Sequence, residues 1–475
     1  MWGEISVFIH YALALAVSVR VIMRPRLEPS VRLAWLLVVL AVPFVGTISY
    51  ILFGEVRLRR SDLQNRRDVR DRLTGRWQPG PHDLDSVPEY ATSVVESDEA
   101  VGGFPAVEGN ELHLLAEDDT AIDDMVVAID QARSHVHILF YIWLPDHSGQ
   151  KIVDATIRAA RRGVAVRIIV DAVGSRLLVK SRFWQQMKDA GVRCEAAFPV
   201  IYPLVEVLFQ RVDLRNHRKI VVIDGMVGFT GSRNCADMAF AVKPRFAPWI
   251  DILVRLEGPV VRQLQAAFLS DWISYTGHDL GDMLDDIQQG QPSGAIAQVV
   301  ATGPDRRNGS ISDCITTLIY SARKELTITT PYYVPDPALD AAIRSAARRG
   351  VKVTMILPER NDSVFVNATS EGFWQGLILS GVHMHLYRGG LLHSKIITVD
   401  GKMAMIGSAN LDRRSFEINY ELNVMVIDAE FVAELDERQG TYLYRSRYLN
   451  LSEVRGWPWW RRARNNILAL AAPLL

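Results

Sequence analysis

One eighteen-residue pattern occurs twice in this chain, and it constrains the fold more than any other feature. "HRKIVVIDGMVGFTGSRN" runs from His217 to Asn234, and "HSKIITVDGKMAMIGSAN" runs from His393 to Asn410. His, Lys, Asp-Gly, Gly-Ser and Asn recur in register, each 176 positions from its counterpart (217 to 393), with no gap. The surroundings repeat as well. "HVHILFYIW" (His135–Trp143) reads as a strand, "KIVDATIRAARRG" (Lys151–Gly163) has helical spacing and ends on a glycine, and "VAVRIIVD" (Val164–Asp171) reads as a strand again. "LTITTPYYV" (Leu326–Val334), "ALDAAIRSAARRG" (Ala338–Gly350) and "VKVTMILP" (Val351–Pro358) follow in the same order in the second half. Strands separated by helices predict parallel α/β sheets, and the duplication predicts two similar domains. They are expected over residues 111–290 and 295–450, with the joint in "GQPSG" (Gly290–Gly294).

In each copy the apolar, β-branched run after the lysine reads as a strand, and Asp-Gly as a hairpin turn. Side chains alternate along a strand, so His217 and Lys219 project together, as do His393 and Lys395. A His-Lys pair on one face suits phosphate chemistry: histidine serves as nucleophile or general acid near neutral pH, and lysine balances phosphoryl charge. Ser232 and Asn234, with Ser408 and Asn410, follow the return strands and are candidates to hydrogen-bond phosphate oxygens. Asp224 and Asp400 complete the His-Lys-Asp catalytic signature, but they lie five residues beyond the lysines, at the turn and on the opposite parity. That placement favours bracing the hairpin over touching substrate.

The front of the chain predicts a membrane hairpin over residues 1–60. Leu33–Phe53 is uncharged over 21 residues, long enough at 1.5 Å per residue for a hydrocarbon core of ~30 Å. Ile5–Met23 forms the other expected span, although His10 and Arg20 interrupt it. Arginines follow the second span more densely (Arg57, Arg59, Arg60, Arg66, Arg67) than they fill the loop before it, which favours a cytoplasmic body. Residues 61–110 are polar with Pro and Gly clusters and read as a linker with little core. Residues 451–475 end in "GWPWWRRARNNILALAAPLL", where Trp457, Trp459 and Trp460 with Arg461, Arg462 and Arg464 suggest an interfacial segment. A net charge of −1 counts against a nucleic acid as main partner. Cys194, Cys235 and Cys314 are scattered without metal-ligand spacing, so neither a zinc site nor a disulfide framework is expected, and no cofactor is suggested.

The doubled His-x-Lys-x4-Asp-x6-Gly-Ser-x-Asn motif resembles the phospholipase D superfamily. The stretches "AWLLVVLAVPFVGTISYILFGE", "FYIW", "DLRNHRK" and "GGLLHSK" extend the resemblance over essentially the whole chain, to bacterial cardiolipin synthases of the two-span type. It implies two phospholipase D-like domains forming one body around a pseudo-twofold, with both motifs at one active site. It further implies His217 as nucleophile and His393 as acid, an order the residues alone leave open. Family members carry a downstream acidic residue that orients each histidine. Asp251 in "PWIDI", 34 residues after His217, and Glu421 in "INYEL", 28 after His393, fit that place, with Glu417 competing with Glu421. The implied enzyme is an inner-membrane, multi-pass phosphatidyltransferase using phosphatidylglycerol as donor and acceptor, without a metal or other cofactor. The alternatives are a phospholipase D with water as acceptor, a nuclease, or a membrane scaffold with a dead site.

Overall fold

The computed structural model describes residues 2–24, 29–42, 44–54, 60–76, 87–199, 213–285, 294–305 and 310–470. Residues 290–293 of the expected joint lie outside them. Fifteen strands form one sheet that runs through both halves. From one edge, the first half contributes Arg193–Ala197, Ala165–Asp171, His135–Phe140, Lys219–Ile223, Val227–Gly231, Leu253–Glu257 and Val107–Leu114. Val107–Leu114 pairs antiparallel with Ala295–Thr302, and the second half continues with Glu421–Ile427, Met403–Gly407, Ile396–Val399, Glu325–Thr329, Lys352–Pro358, His383–Tyr387 and Ser446–Tyr448. The order reverses at the junction, as a pseudo-twofold requires.

The expected parallel sheets are found only in part. Within this sheet, parallel pairing is confined to three adjacent strands at the outer part of each half, where the connections contain the helices His147–Arg161 and Pro337–Arg348. The strands nearer the junction are antiparallel. The reason lies in the motif itself, because a tight Asp-Gly turn can join only antiparallel strands. Asp224 and Gly225 have φ of 52° and 67°, and Asp400 and Gly401 have 55° and 66°. Two consecutive positive values are what a type I′ turn demands.

Both aspartates brace these hairpins. The Asp224 carboxylate accepts the N–H groups of Arg133, Ser134 and His135 at 2.8, 2.7 and 2.9 Å. Asp400 accepts those of Arg323, Lys324 and Glu325 at the same three distances. Each thereby fastens its turn to the start of the neighbouring strand. Seven residues of extended chain, at ~3.3 Å each, separate them from His217 and His393. Including these aspartates in the catalytic signature therefore requires correction, since their carboxylates are spent on backbone.

The stretch expected to be a linker is packed. Helix Arg60–Thr74 buries Val69 and Leu73 in a core shared by both halves. Arg67, part of the basic flank, and Arg70 bind Asp305. Helix Thr92–Gly102 buries Val94 and Val95 in the core of the second half, although it precedes the first. The folded body thus begins well before residue 111.

The membrane hairpin is corrected in one respect. Trp2–Met23 is a helix, but the second stretch divides into Pro29–Ala41 and Val45–Phe53. At 1.5 Å per residue these pieces measure about 20 and 14 Å, each short of a span. Among the described residues no helix is long and apolar enough to cross a membrane. At the break, His10 accepts the N–H of Phe44 at 3.3 Å, and a Cβ on Gly46 would lie 2.1 Å from the Val38 carbonyl oxygen. The helices share a small core of Val17, Val21, Trp35, Val39 and Tyr50, while Phe8, Tyr11, Leu15, Leu33, Leu37 and Leu40 stay exposed.

The C-terminal cluster is half spent on packing. Trp457 is buried beside Trp374, and Arg461 lies over the Trp457 ring at 4.0 Å while gripping Glu371 at 2.9 and 3.1 Å. Arg464 also turns to Glu371, leaving Trp459 and Trp460 exposed on helix Trp459–Leu470. The three cysteines are buried free thiols.

Replacing Asp224 or Asp400 by Asn puts an amide donor among three N–H groups, at a cost of about 1–3 kcal/mol. Melting curves should show a fall of several degrees for each variant, and the folded fraction should keep most of its turnover. Complete loss of turnover at an unchanged melting temperature would contradict the bracing role.

Candidate active site

The two halves exchange backbone bonds where the motifs begin. Residues Leu391–Leu392 pair in parallel with Trp249–Ile250, and the His393 N–H binds the Ile250 carbonyl at 2.8 Å. On the other side Asn216 bridges to Tyr420, and the His217 N–H binds the Tyr420 carbonyl at 2.8 Å. Each histidine therefore faces the residue that follows in the opposite half. Asp251 Oδ1 lies 2.7 Å from His393 Nδ1, and Glu421 Oε2 lies 2.9 Å from His217 Nδ1. The carboxylates anticipated within each half are thus exchanged between halves. Their unequal spacings from the nearer motif are explained, because neither serves that motif. The competing Glu417 pairs with Arg413 at 3.7 Å, while Glu421 is the one that meets a histidine.

The motif serines hold these carboxylates. Ser232 donates to Asp251 and accepts the Ile252 N–H at 3.0 Å, and Ser408 donates to Glu421 and accepts the Leu422 N–H at 2.9 Å. Their expected role at phosphate needs correction, since both hydroxyls are occupied as orienting groups. Asn234 accepts the Ile142 N–H at 3.2 Å through Oδ1, which does not use its amide N–H donors. Asn410 Oδ1 is buried without a partner among the described residues, and so keeps an acceptor available.

Both lysines are almost wholly buried. Lys219 donates to the His217 carbonyl at 2.6 Å; Lys395 donates to the His393 carbonyl and lies 3.1 Å from both ring nitrogens. Burial pushes the Lys219 ammonium down to about 7 and Lys395 down to about 8, against the pull of Glu421 and Asp251. Burial likewise lowers His217 to about 4, opposed by Glu421 and assisted by Lys219 and Lys395. His393 is lowered for the same reason, with Asp251 opposing and Lys395 and Lys219 assisting. Each lysine acts on the histidine of the other motif, so both motifs share one electrostatic site. Burial alone would raise the Asp251 and Glu421 carboxyls, but the histidines and lysines outweigh it and hold both low.

Several residues here carried no sequence signal of their own. Tyr141 meets the His217 ring at 4.8 Å, while Trp249 and Tyr332 meet His393 at 4.9 and 6.4 Å. Tyr141 in "FYIW" and Tyr332 in "PYYV" follow equivalent strands but stand one position out of register, Trp143 matching Tyr333, so a comparison of the two halves would not have paired them. Behind His217, Asp271 binds Asn216 at 3.0 Å and Arg218 at 2.9 Å, and pairs with Arg66 of helix Arg60–Thr74 at 3.5 Å. Arg218 continues to the Glu421 carbonyl at 3.2 Å.

A family profile described as "Cardiolipin synthase, PLD-like domain" matches residues 125–272 and 315–439, one segment around each motif. Cardiolipin synthase A of Pectobacterium carotovorum subsp. carotovorum (strain PC1) is 36% identical over 484 residues, covering 99% of this chain and 98% of that protein. The chain belongs to the bacterial cardiolipin synthases of the phospholipase D superfamily. Cardiolipin synthase A of Yersinia pseudotuberculosis serotype IB (strain PB1/+) is 35% identical over 480 residues, with 99% and 98% covered. Residues 12–55 match a second profile, "Phospholipase_D-nuclease N-terminal". Among solved structures, phosphatidylserine synthase from Haemophilus influenzae Rd KW20 superposes with a TM-score of 0.58 at 13% identity, covering 81% of this chain and all of that one. That likeness shows the same fold with two phospholipase D-like halves. The two profile segments fall one in each half of the sheet, and the paired histidines lie where those halves meet.

The exchanged carboxylates are separable by experiment. Glu421→Gln should alter the nitrogen-15 signals of the His217 ring and spare those of His393, and Asp251→Asn should do the reverse. Each substitution should lower turnover by about 10- to 100-fold, as loss of a histidine-orienting carboxylate does. The opposite pattern of ring signals would restore pairing within each half.

Proposed function

We propose that this enzyme transfers the phosphatidyl group of one phosphatidylglycerol to the glycerol hydroxyl of another, giving cardiolipin and free glycerol through a phosphatidyl-histidine. The observation that carries the reading is the pair of buried histidines, each with Nδ1 committed to a carboxylate of the opposite half. With Nδ1–H donating, Nε2 is the nitrogen left for chemistry. His217, lowered to about 4, is neutral and nucleophilic at physiological pH. His393 is lowered as well, against the pull of Asp251, and it lies close enough to Asp362 to help hold that carboxyl low. The reaction requires His393 to carry its proton while His217 is neutral.

His217 Nε2 attacks phosphorus, the bond from phosphorus to the glycerol oxygen breaks, and His393 gives its proton to that oxygen. The acceptor hydroxyl then attacks phosphorus, returning its proton to His393 as the P–N bond breaks. Proton and charge balance in both directions, so the transfer is reversible. Lys219 and Lys395 stand where they can neutralise the oxygens of the reacting phosphate, and a bound anion favours their charged forms.

The lipid substrates are consistent with an N-terminal helical unit whose large apolar residues face outward and with the exposed Trp459 and Trp460. We place the enzyme at the bacterial inner membrane, embedded through residues 1–54, with the catalytic body on the cytoplasmic side. Holding the site at the interface concentrates the second lipid and disfavours water, the acceptor that would make the enzyme a phospholipase D.

Purified protein given phosphatidylglycerol alone should form cardiolipin and glycerol. His217→Ala should abolish the product and any covalent phosphatidyl adduct, whereas His393→Ala should still form the adduct with donors whose leaving group needs little protonation. An adduct on His217→Ala and none on His393→Ala reverses the assignment.

Removing residues 1–59 spares helix Arg60–Thr74 and its contact to Asp271. The ratio of cardiolipin to phosphatidic acid should then fall, and fall further when residues 457–475 are also removed. The measurement compares both products at fixed lipid surface concentration. An unchanged ratio would mean that the pocket alone selects the acceptor.

A further inference from the structure

A cavity of about 340 Å³ opens at one end of the two-stranded ladder that leads to His393, within the range of pockets that hold small ligands (~300–1,000 Å³). Both halves build it, with Arg245 and Phe246 from the first and Arg360, Arg388 and Gly390 from the second. Gly390 has φ 123°, and a Cβ there would lie 2.2 Å from the Pro248 carbonyl oxygen, so the halves meet tightly at this floor. From Gly390 the chain enters the Leu391–Leu392 strand and reaches His393 three residues on, about 10 Å at ~3.3 Å per residue.

Three guanidinium groups line the cavity against a single carboxylate, Glu359. Glu359 is already held by Arg388 and Arg447. Arg245 and Arg360 have no ion pair or hydrogen bond among the described residues. The other side of the pseudo-twofold differs. There Arg414 donates to the Asp213 carbonyl at 3.0 Å, and Arg215 donates to the Phe198 carbonyl at 3.2 Å and pairs with Asp171 at 3.6 Å. Among the described residues the uncommitted cations are thus on the His393 side.

We propose that this cavity binds the phosphodiester of the acceptor lipid. The inference rests on the transfer reaction proposed above and adds how the acceptor is chosen. An acceptor phosphatidylglycerol carries its own anionic phosphate one glycerol away from the hydroxyl that attacks. That arm has five bonds of about 1.5 Å, spanning roughly 6 Å, and a guanidinium side chain covers the remaining distance. The two buried lysines are taken up by the reacting phosphate, so the second negative charge needs other cations. Arginine suits phosphate oxygens through its forked, permanently charged donors. Water has no phosphate and gains nothing from this site, and neither does a neutral alcohol.

The test uses the full chain in mixed vesicles containing phosphatidylglycerol, with ethanol as a neutral competing acceptor, and measures cardiolipin and phosphatidylethanol together. Arg245→Gln/Arg360→Gln should lower the ratio of cardiolipin to phosphatidylethanol at least tenfold, and Arg245→Lys/Arg360→Lys should retain most of it. An unchanged ratio in the glutamine variant, including equal loss of both products, overturns the proposal. Glycerol 3-phosphate offers the anion without the lipid. Its use as acceptor in preference to phosphatidylglycerol would assign the cavity to a soluble phosphate and overturn the lipid assignment. If the unaltered enzyme forms phosphatidylethanol but no cardiolipin, the transfer reading itself fails and the cavity's role falls with it.

Discussion

The site depends on carboxylates that each half lends to the other. Glu421 and Asp251 are buried, and a buried carboxylate without a partner costs several kcal/mol. Each finds its opposite charge across the seam, in the histidine of the other motif and in that motif's lysine, and a hydrogen bond from the serine of its own half. The backbone enforces this exchange, because the carbonyls just before the two carboxylates accept the N–H groups of the two histidines. Neither half can therefore orient its own histidine. Closing the seam is the step that creates the site.

Much of this was legible in the residues, and what was not has physical causes. The repeat announced two equivalent units, and hairpin parity assigned Asp224 and Asp400 to bracing. The parallel pattern was overextended, since strand and helix signals give no pairing direction for strands that follow a tight turn. Asp251 and Glu421 were identified, but their exchange was invisible, because spacing along one chain does not reveal contacts over 142 and 204 residues. Ser232 and Ser408 were read as phosphate donors because a hydroxyl beside the motif does not show which acid it serves. The polar composition of residues 61–110 concealed two packed helices, each burying only a few valines and leucines.

The helix after the N-terminal unit is more than a connector. Arg66 is buried and lies over the rings of Tyr275, Tyr420 and Phe198 at 4.5, 5.1 and 5.4 Å. Its partner Asp271 also binds Asn216 and Arg218, which flank His217. Desolvating an arginine is repaid only when charge and ring faces surround it, so this helix has a fixed seat on the catalytic body. Helix Arg60–Thr74 thus reaches the back of His217 through Asp271.

Duplication by itself yields two equal histidines, whereas transfer needs unequal ones. The scaffold repeats what must be common: a lysine two residues on, a carboxylate at Nδ1, a serine holding that carboxylate. It differs at the next layer. His217 has Tyr141 beside it, while His393 has Trp249, Tyr332 and the field of Asp362, itself pinned by Tyr332 and Lys243 of the other half. The arginine cavity opens on this second side as well. Leaving-group protonation and acceptor activation are both tasks of one histidine at successive steps, so the groups that receive alcohols belong beside it. In the proposed reaction the division between nucleophile and acid therefore resides in residues around the motifs, which differ between the halves where the motifs themselves are alike.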